Sequence, residues 1–256
     1  MATQTLAPNT AYQLAAPTLK QCTIRMDGGA IAVTPSTTGQ VQVVCRTDPA
    51  SAGKFLFTAD INGTLTGQGR RKPGTGGFAK VVISVEIPTD CALDLHAVAG
   101  SIDVGRHGAS VTAQTSAGSI HVARAAGVLS MSASGGSIAV DEMLGQLTAR
   151  ANGGSIKLIN VKGSTDADAS GGSIEASLLS PPDARLKASG GSIRLKVDRN
   201  AAFNLIAAAT GGTVTVSSPL VPTTVTGSHF AGRINGGGTT TVDLCASAGS
   251  IAVSAA

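Results

Sequence analysis

From Gly100 onward the chain repeats one arrangement of apolar and polar positions. The copies read AGSIDV, AGSIHV, GGSIAV, GGSIKL, GGSIEA, GGSIRL, GGTVTV and AGSIAV, with their central glycines at 100, 118, 136, 154, 172, 191, 212 and 249. The first six intervals are 18, 18, 18, 18, 19 and 21 residues. The last, 37, has the length of two coils, and AGRI around Gly232 reads as the copy between them. An earlier relative, GGAIAV, stands around Gly29. Self-similarity at a fixed period is the mark of a stacked architecture, in which each unit buries its apolar face against the next.

Within each copy the period is 2. Ile102, Ile120, Ile138, Ile156, Ile174 and Ile193 are followed two residues on by Val104, Val122, Val140, Leu158, Ala176 and Leu195. Alternation of this kind predicts a strand with one buried face. A second alternation precedes the glycine, inward at Leu129, Met131 and Ala133, then Leu147, Ala149 and Ala151, then Thr165, Ala167 and Ala169, then Ala184, Leu186 and Ala188. Gly127, Gly145 and Gly163 mark one corner, and the Gly-Gly or Ala-Gly pairs mark the other. Glycine suits both, because a tight corner calls for positive φ and successive coils bring backbones together. The prediction is an all-β, single-domain parallel β-solenoid with coils of about 18 residues, the backbone of each coil hydrogen-bonded to the next.

The outward positions agree with that register. The row Asp103, His121, Ala139, Lys157, Glu175, Arg194 and the rows Arg150, Asp168, Lys187 and Thr148, Asp166, Arg185 alternate in charge. Stacked coils set these side chains side by side, where opposite charges help and like charges hurt. Residues 1–90 repeat less cleanly and are expected to form irregular coils and a cap, with residues 91–256 forming the regular repeat in one continuous domain. Strand-like runs appear at Tyr12–Leu14, Thr23–Met26, Val41–Cys45, Lys54–Ala59 and Val81–Ile87, and the stretch from Gly67 to Lys80 reads as a surface loop.

Composition narrows the picture. Aromatics are 2 % and Trp is absent, while Gly supplies 33 residues, so the interior has to be narrow and lined by small and β-branched groups. The net charge of +4 is modest, below the dense basic footprint of a nucleic-acid binder. One local run, Arg70, Arg71 and Lys72, reads either as a flexible arm for an anionic partner or as a solvated loop. Cys22, Cys45, Cys91 and Cys245 form no CxxC and no metal-ligand spacing, and are expected to be free thiols. No run of 18 apolar residues exists to cross a membrane as a helix. The start, MATQTLAPNT, has neither a basic n-region nor an apolar h-region. This fits a cytoplasmic protein, or a surface or periplasmic one whose export signal is not in this sequence.

The succession VVISVEIPTDCALDLHAVAGSIDV, the GGSI coils and the close FAGRINGGGTTTVDLCASAGSIAV resemble the bacterial putative-adhesin family of β-solenoids, over roughly residues 20–253. The resemblance implies a β-solenoid associated with the cell envelope or surface, and it implies no catalytic residues.

The residues themselves point the same way on chemistry. Parallel β-helices host polysaccharide-acting enzymes, which need clustered carboxylates and sugar-stacking aromatics. Asp166, Asp168, Arg150, Arg185 and Lys187 share a face, but they alternate in sign as paired ladders do, and no Trp or Tyr is near. His121 is expected beside Asp103 as a surface ion pair, with no nucleophile adjoining, and the other histidines fall at unrelated offsets. No catalytic residue, cofactor site or metal site is expected. The Asn62-Gly63-Thr64 sequon matters only in a source that glycosylates. The leading expectation is a non-catalytic structural or adhesive module meeting a surface glycan or protein. The alternative is a scaffold or filament polymerising end to end through Tyr12, Leu14, Ile251 and Val253, since the chain stops soon after its last core strand. An enzyme on a β-helix comes third.

Overall fold

The computed structural model describes residues 4–14, 19–61, 64–75, 80–180 and 183–256, and among them every regular element is a strand. The strands stack as parallel coils, the all-β parallel β-solenoid that the period predicts. Two compact units, Met1–Gly127 and Val128–Ala256, divide the chain.

The first unit holds β1 (Gln4–Leu6), β2 (Ala11–Leu14), β3 (Gln21–Met26), β4 (Ala30–Pro35), β5 (Val41–Thr47) and β6 (Phe55–Ile61). It continues with β7 (Thr64–Arg71), β8 (Val81–Ile87), β9 (Ala92–Ala97), β10 (Ile102–His107), β11 (Val111–Thr115) and the first part of β12 (Ile120–Ala133). One face runs β1, β6, β7, β3, β9, β11, and the other runs β2, β5, β8, β4, β10, β12. The coil made by β3 and β4 therefore lies inside the stack, between the coils β7–β8 and β9–β10. Beyond β7–β8 the pairing turns antiparallel, and β5 and β6, then β2 and β1, cover the end.

The second unit holds the rest of β12, β13 (Ile138–Ala151), β14 (Ile156–Lys162), β15 (Thr165–Ala169), β16 (Ile174–Ser180), β17 (Ala184–Ala188) and β18 (Ile193–Val197). After these come β19 (Phe203–Ala209), β20 (Val214–Val216), β21 (Val225–Gly227), β22 (His229–Ile234), β23 (Thr241–Ala246) and β24 (Ile251–Ala255). Here too the stacking order departs from chain order. β23 lies between β17 and β19, and β24 lies between β18 and β20. The last coil is thus an interior coil. The end is covered by β22, antiparallel to β19, and by β21, antiparallel to β20. AGRI belongs to β22 and is a cap strand, not the coil that the 37-residue interval suggested.

The expected isoleucine column is present within each unit. Ile83, Ile31, Ile102 and Ile120 are successive register partners in the first, and Ile138, Ile156, Ile174, Ile193, Ile251 and Val214 in the second. All are at most 1 % exposed. Each fully buried side chain of this size contributes about 1.5–3 kcal/mol. In the second unit the serine hydroxyls form a ladder: Ser137, Ser155, Ser173, Ser192 and Ser250 each accept the backbone N–H of the Ser or Thr stacked on them, at 3.1–3.2 Å. Phe55 and Phe57 lie on the cap strand β6, and Phe203 lies on β19 as the register partner of Ile234 in the cap strand β22.

The glycines divide into two kinds. Gly127, Gly145 and Gly163 have φ of 97°, 131° and 135°, the left-handed region the corner requires. The glycine of each GSI copy is different. A Cβ at Gly154, Gly172 or Gly191 would run into the carbonyl of the glycine one coil below, so close approach rather than φ excludes a side chain there. The stretch expected as a loop at 67–80 opens as strand, its first five residues, 67–71, completing β7. Gly67 and Gly69 lie in β7 at inward positions, where the rings of Phe57 and Phe55 occupy the space a Cβ would take. Asn62, Gly63, Gly76 and Gly77 lie outside the described residues.

Candidate functional site

In the second unit the charged rows pass beside a concavity of about 480 Å³. It follows the corner where β15, β17 and β23 begin, so each coil contributes its first strand positions. Thr148, Asp166, Arg185 and Asp243 are successive register partners along it. The inserted last coil extends the charge alternation by placing Asp243 beside Arg185. Arg150 reaches diagonally, its Nη2 2.8 Å from Asp166 Oδ2, with Nη1 4.0 Å from Asp168 Oδ2. Asp183 Oδ1 accepts the Thr241 N–H at 2.9 Å and joins two coils at the rim. Gln146, Ser164 and Thr241 add an amide and hydroxyls. The groove therefore offers donors and acceptors at the coil repeat of about 4.8 Å, and no histidine or cysteine lines it. Such a lining can make hydrogen bonds to a polar ligand.

A second charged region belongs to the first unit. Arg70 and Arg71 end β7 as regular strand residues, paired with Leu56 and Phe55, so they are not a flexible arm. The Lys72 N–H donates to the Lys54 carbonyl at 2.9 Å, and the Lys80 N–H donates to Ser51 Oγ at 3.0 Å. Ser51 is buried, and its own N–H donates to Asp48 Oδ1 at 2.7 Å. The Ser51 hydrogen bonds, then Lys80 and Lys54, hold the Asp48 carboxyl below its usual range. Three passages of chain are thus tied into one basic corner that carries Lys54, Arg70, Arg71, Lys72 and Lys80.

The positions expected to self-associate separate. Tyr12 and Leu14 lie on β2, whose strand partner among the described residues is β5, so they stand at a unit edge. The Tyr12 hydroxyl accepts the Ala7 N–H at 2.7 Å. Ile251 and Val253 do not stand at an edge. Both are 0 % exposed and hydrogen-bonded on both flanks within β24, because the chain turns back and inserts its final coil before ending. The edge strands at that end are β21 and β22.

The titratable core groups lie in the first unit. His107 is buried, with its Nε2 hydrogen-bonded to the Cys91 carbonyl. Burial pushes its pKa down, against the opposing effects of that carbonyl and of Asp90. Burial also pushes up the Cys22 thiol, with Cys91 adding to it, and raises Cys91 to about 11 with Asp90 adding to that. Cys22, Cys45, Cys91 and Cys245 are thiols, the first three buried. His121 Nδ1 lies 3.5 Å from Asp103 Oδ2 on the surface, and His96 Nε2 lies 2.9 Å from Asp94 Oδ1. Among the described residues no group of three or more His, Cys, Asp or Glu side chains is arranged to hold a metal ion.

This geometry defines a class first: an all-β solenoid module that carries charged and polar rows along its stacked coils. The chain belongs to the Toastrack DUF4097 family, whose model matches residues 19–254. No curated protein matches it. Among solved structures it is similar to a putative adhesin from Bacteroides fragilis, at 14 % identity and a TM-score of 0.48 over 98 % of this chain and 97 % of that one. It is also similar to a putative cell adhesion protein from Clostridium sporogenes, at 7 % identity and a TM-score of 0.25 over the whole of both chains. Among the described residues no helix is long and apolar enough to cross a membrane.

Sequence reasoning found the charged rows but missed the groove. Asp243 was not joined to them because its coil is displaced in the stack. The signal was available in Asn235-Gly236-Gly237, three consecutive residues with φ of 49°, 86° and 80° that turn the cap strand back into the stack.

Proposed function

We propose that the protein is a non-catalytic adhesive module of the cell envelope that holds a hydroxyl-rich surface glycan in the groove of its second unit. The observation that carries this reading is the row Thr148, Asp166, Arg185, Asp243, which repeats donors and acceptors at coil spacing along an elongated concavity. Carboxylate and guanidinium groups hydrogen-bond vicinal hydroxyls in pairs, and a coil-spaced row suits a linear polymer better than a compact metabolite. The mixed charge also limits the attraction of simple polyanions.

An array of neutral and uronic oligosaccharides tests it. The protein should retain a subset of them intact, and Arg185→Ala or Asp243→Ala should weaken retention about tenfold or more, since hydrogen bonds to charged groups are the stronger ones. Failure to retain any oligosaccharide, or release of new reducing ends, contradicts the reading. The scaffold alternative now rests on different residues. Pairing between copies would use the β2 edge of the first unit, or the β21 and β22 edges of the second, not Ile251 and Val253.

A further inference from the structure

We propose that the basic corner of the first unit docks on an anionic lipid surface, with Lys54, Arg70, Lys72 and Lys80 at the headgroups and Leu56 entering the interface. The proposal concerns a different unit from the glycan groove and stands independently of it. The four cations Lys54, Arg70, Lys72 and Lys80 less the Asp48 carboxylate leave +3 at this corner, against +4 for the entire chain. The hydrogen bonds from Lys72 to Lys54 and from Lys80 to Ser51 fix the three chain passages together, so the like charges are concentrated without local flexibility to disperse them. An opposite surface relieves that repulsion, and a membrane carrying anionic lipids attracts such clusters over about a Debye length.

Two observations select an extended lipid surface over a small anion. A phosphate site is normally built from convergent backbone N–H groups. Here the N–H groups of Ser51, Lys54, Lys72 and Lys80 are all spent on internal acceptors. The second is Leu56. It lies opposite Arg70 in the β6–β7 register and is 39 % exposed, an apolar side chain set among the cations. A soluble polyanion has no use for it, whereas the boundary between headgroups and acyl chains does.

Flotation with phosphatidylcholine vesicles, with and without about 30 mol % phosphatidylglycerol, tests the proposal. The full chain should float with the anionic vesicles at about 0.05 M salt, stay unbound with the neutral ones, and be released at about 0.5 M salt. Each cation near such a surface is worth about fivefold in binding, so Arg70→Glu with Lys72→Glu should weaken it at least about 25-fold. Circular dichroism establishes that the doubly exposed variant folds. Leu56→Ser should weaken vesicle binding while leaving binding to soluble polyphosphate unchanged, and Lys157→Glu with Lys196→Glu in the second unit should leave flotation as it is. Equal flotation with both vesicle types, indifference to the Arg70 and Lys72 reversals, or binding to polyphosphate without binding to vesicles overturns it.

Discussion

Replacing Ile251 by Ala measures whether the final coil is interior. The substitution removes three carbons from a side chain that is 0 % exposed and stacked between Ile193 and Val214. Transfer of those carbons costs about 2.4 kcal/mol at about 0.8 kcal/mol each. Both stacking partners are themselves buried and held by backbone ladders, so the site collapses little and a cavity cost adds to the transfer. The sum belongs in the upper part of the 2–5 kcal/mol range for such truncations. An isoleucine on an open terminal coil would lose contacts on one side only, and its replacement would cost about half as much. Ile156→Ala, in the middle of the same column, supplies the interior reference, and Lys157→Ala, outward and exposed, should cost under about 1 kcal/mol. Stacked repeats can unfold in parts, so the three variants are compared by far-ultraviolet circular dichroism through the whole denaturant range. A loss for Ile251→Ala of about half that of Ile156→Ala, or less, refutes the interior placement.

Other consequences are as direct. Gly172→Ala puts a Cβ against the Gly154 carbonyl and should cost about 1–3 kcal/mol or more, whereas Gly53→Ala meets nothing within 4 Å, and thermal melts should show it nearly neutral. His107 takes its proton near pH 6.5 when unfolded and at lower pH when folded, so the unfolded state binds more protons between those values. Its contribution to stability is therefore complete above the unfolded value and is lost as pH falls through the window. Melts at about pH 7.5 and about pH 5.5 should show this loss, and His107→Gln should reduce it. Of the four thiols, half-buried Cys245 should react first with a thiol reagent, while Cys22, Cys45 and Cys91 should wait for unfolding.

The repeat was legible because stacking converts a shared offset into contact. Ile138, Ile156, Ile174 and Ile193 sit at one distance from their glycines, and each is the register partner of the next. Coil order was not legible in the same way. Any two coils with the same inward pattern can pair, and the pattern of Val242, Leu244, Ala246, Ile251 and Val253 fits the core next to β17 and β18 as well as it fits an end. What decides is the cap. β21 and β22 pair antiparallel and close the far side of β19 and β20, leaving the last coil the space between. The basic corner was half visible, since Arg70, Arg71 and Lys72 adjoin in sequence while Lys54 and Lys80 join them only through the fold. Gly67 and Gly69 hid the strand that carries it, because strand glycines make sense only once Phe55 and Phe57 are seen to fill their places.

Cysteine cross-linking tests the interior position of the final coil most directly. With the four natural cysteines replaced by Ser, one variant carries Arg194→Cys and Ala252→Cys, and another carries Arg194→Cys and Thr215→Cys. Arg194 and Ala252 are register partners on adjacent strands, and Thr215 lies one coil beyond Ala252. Adjacent parallel partners stand about 4.8 Å apart at Cα, within disulfide reach, and partners two coils apart stand about 9.6 Å away, beyond it. Under mild oxidation the 194–252 pair should cross-link readily while the 194–215 pair stays reduced, and ready cross-linking of 194–215 without 194–252 contradicts the account.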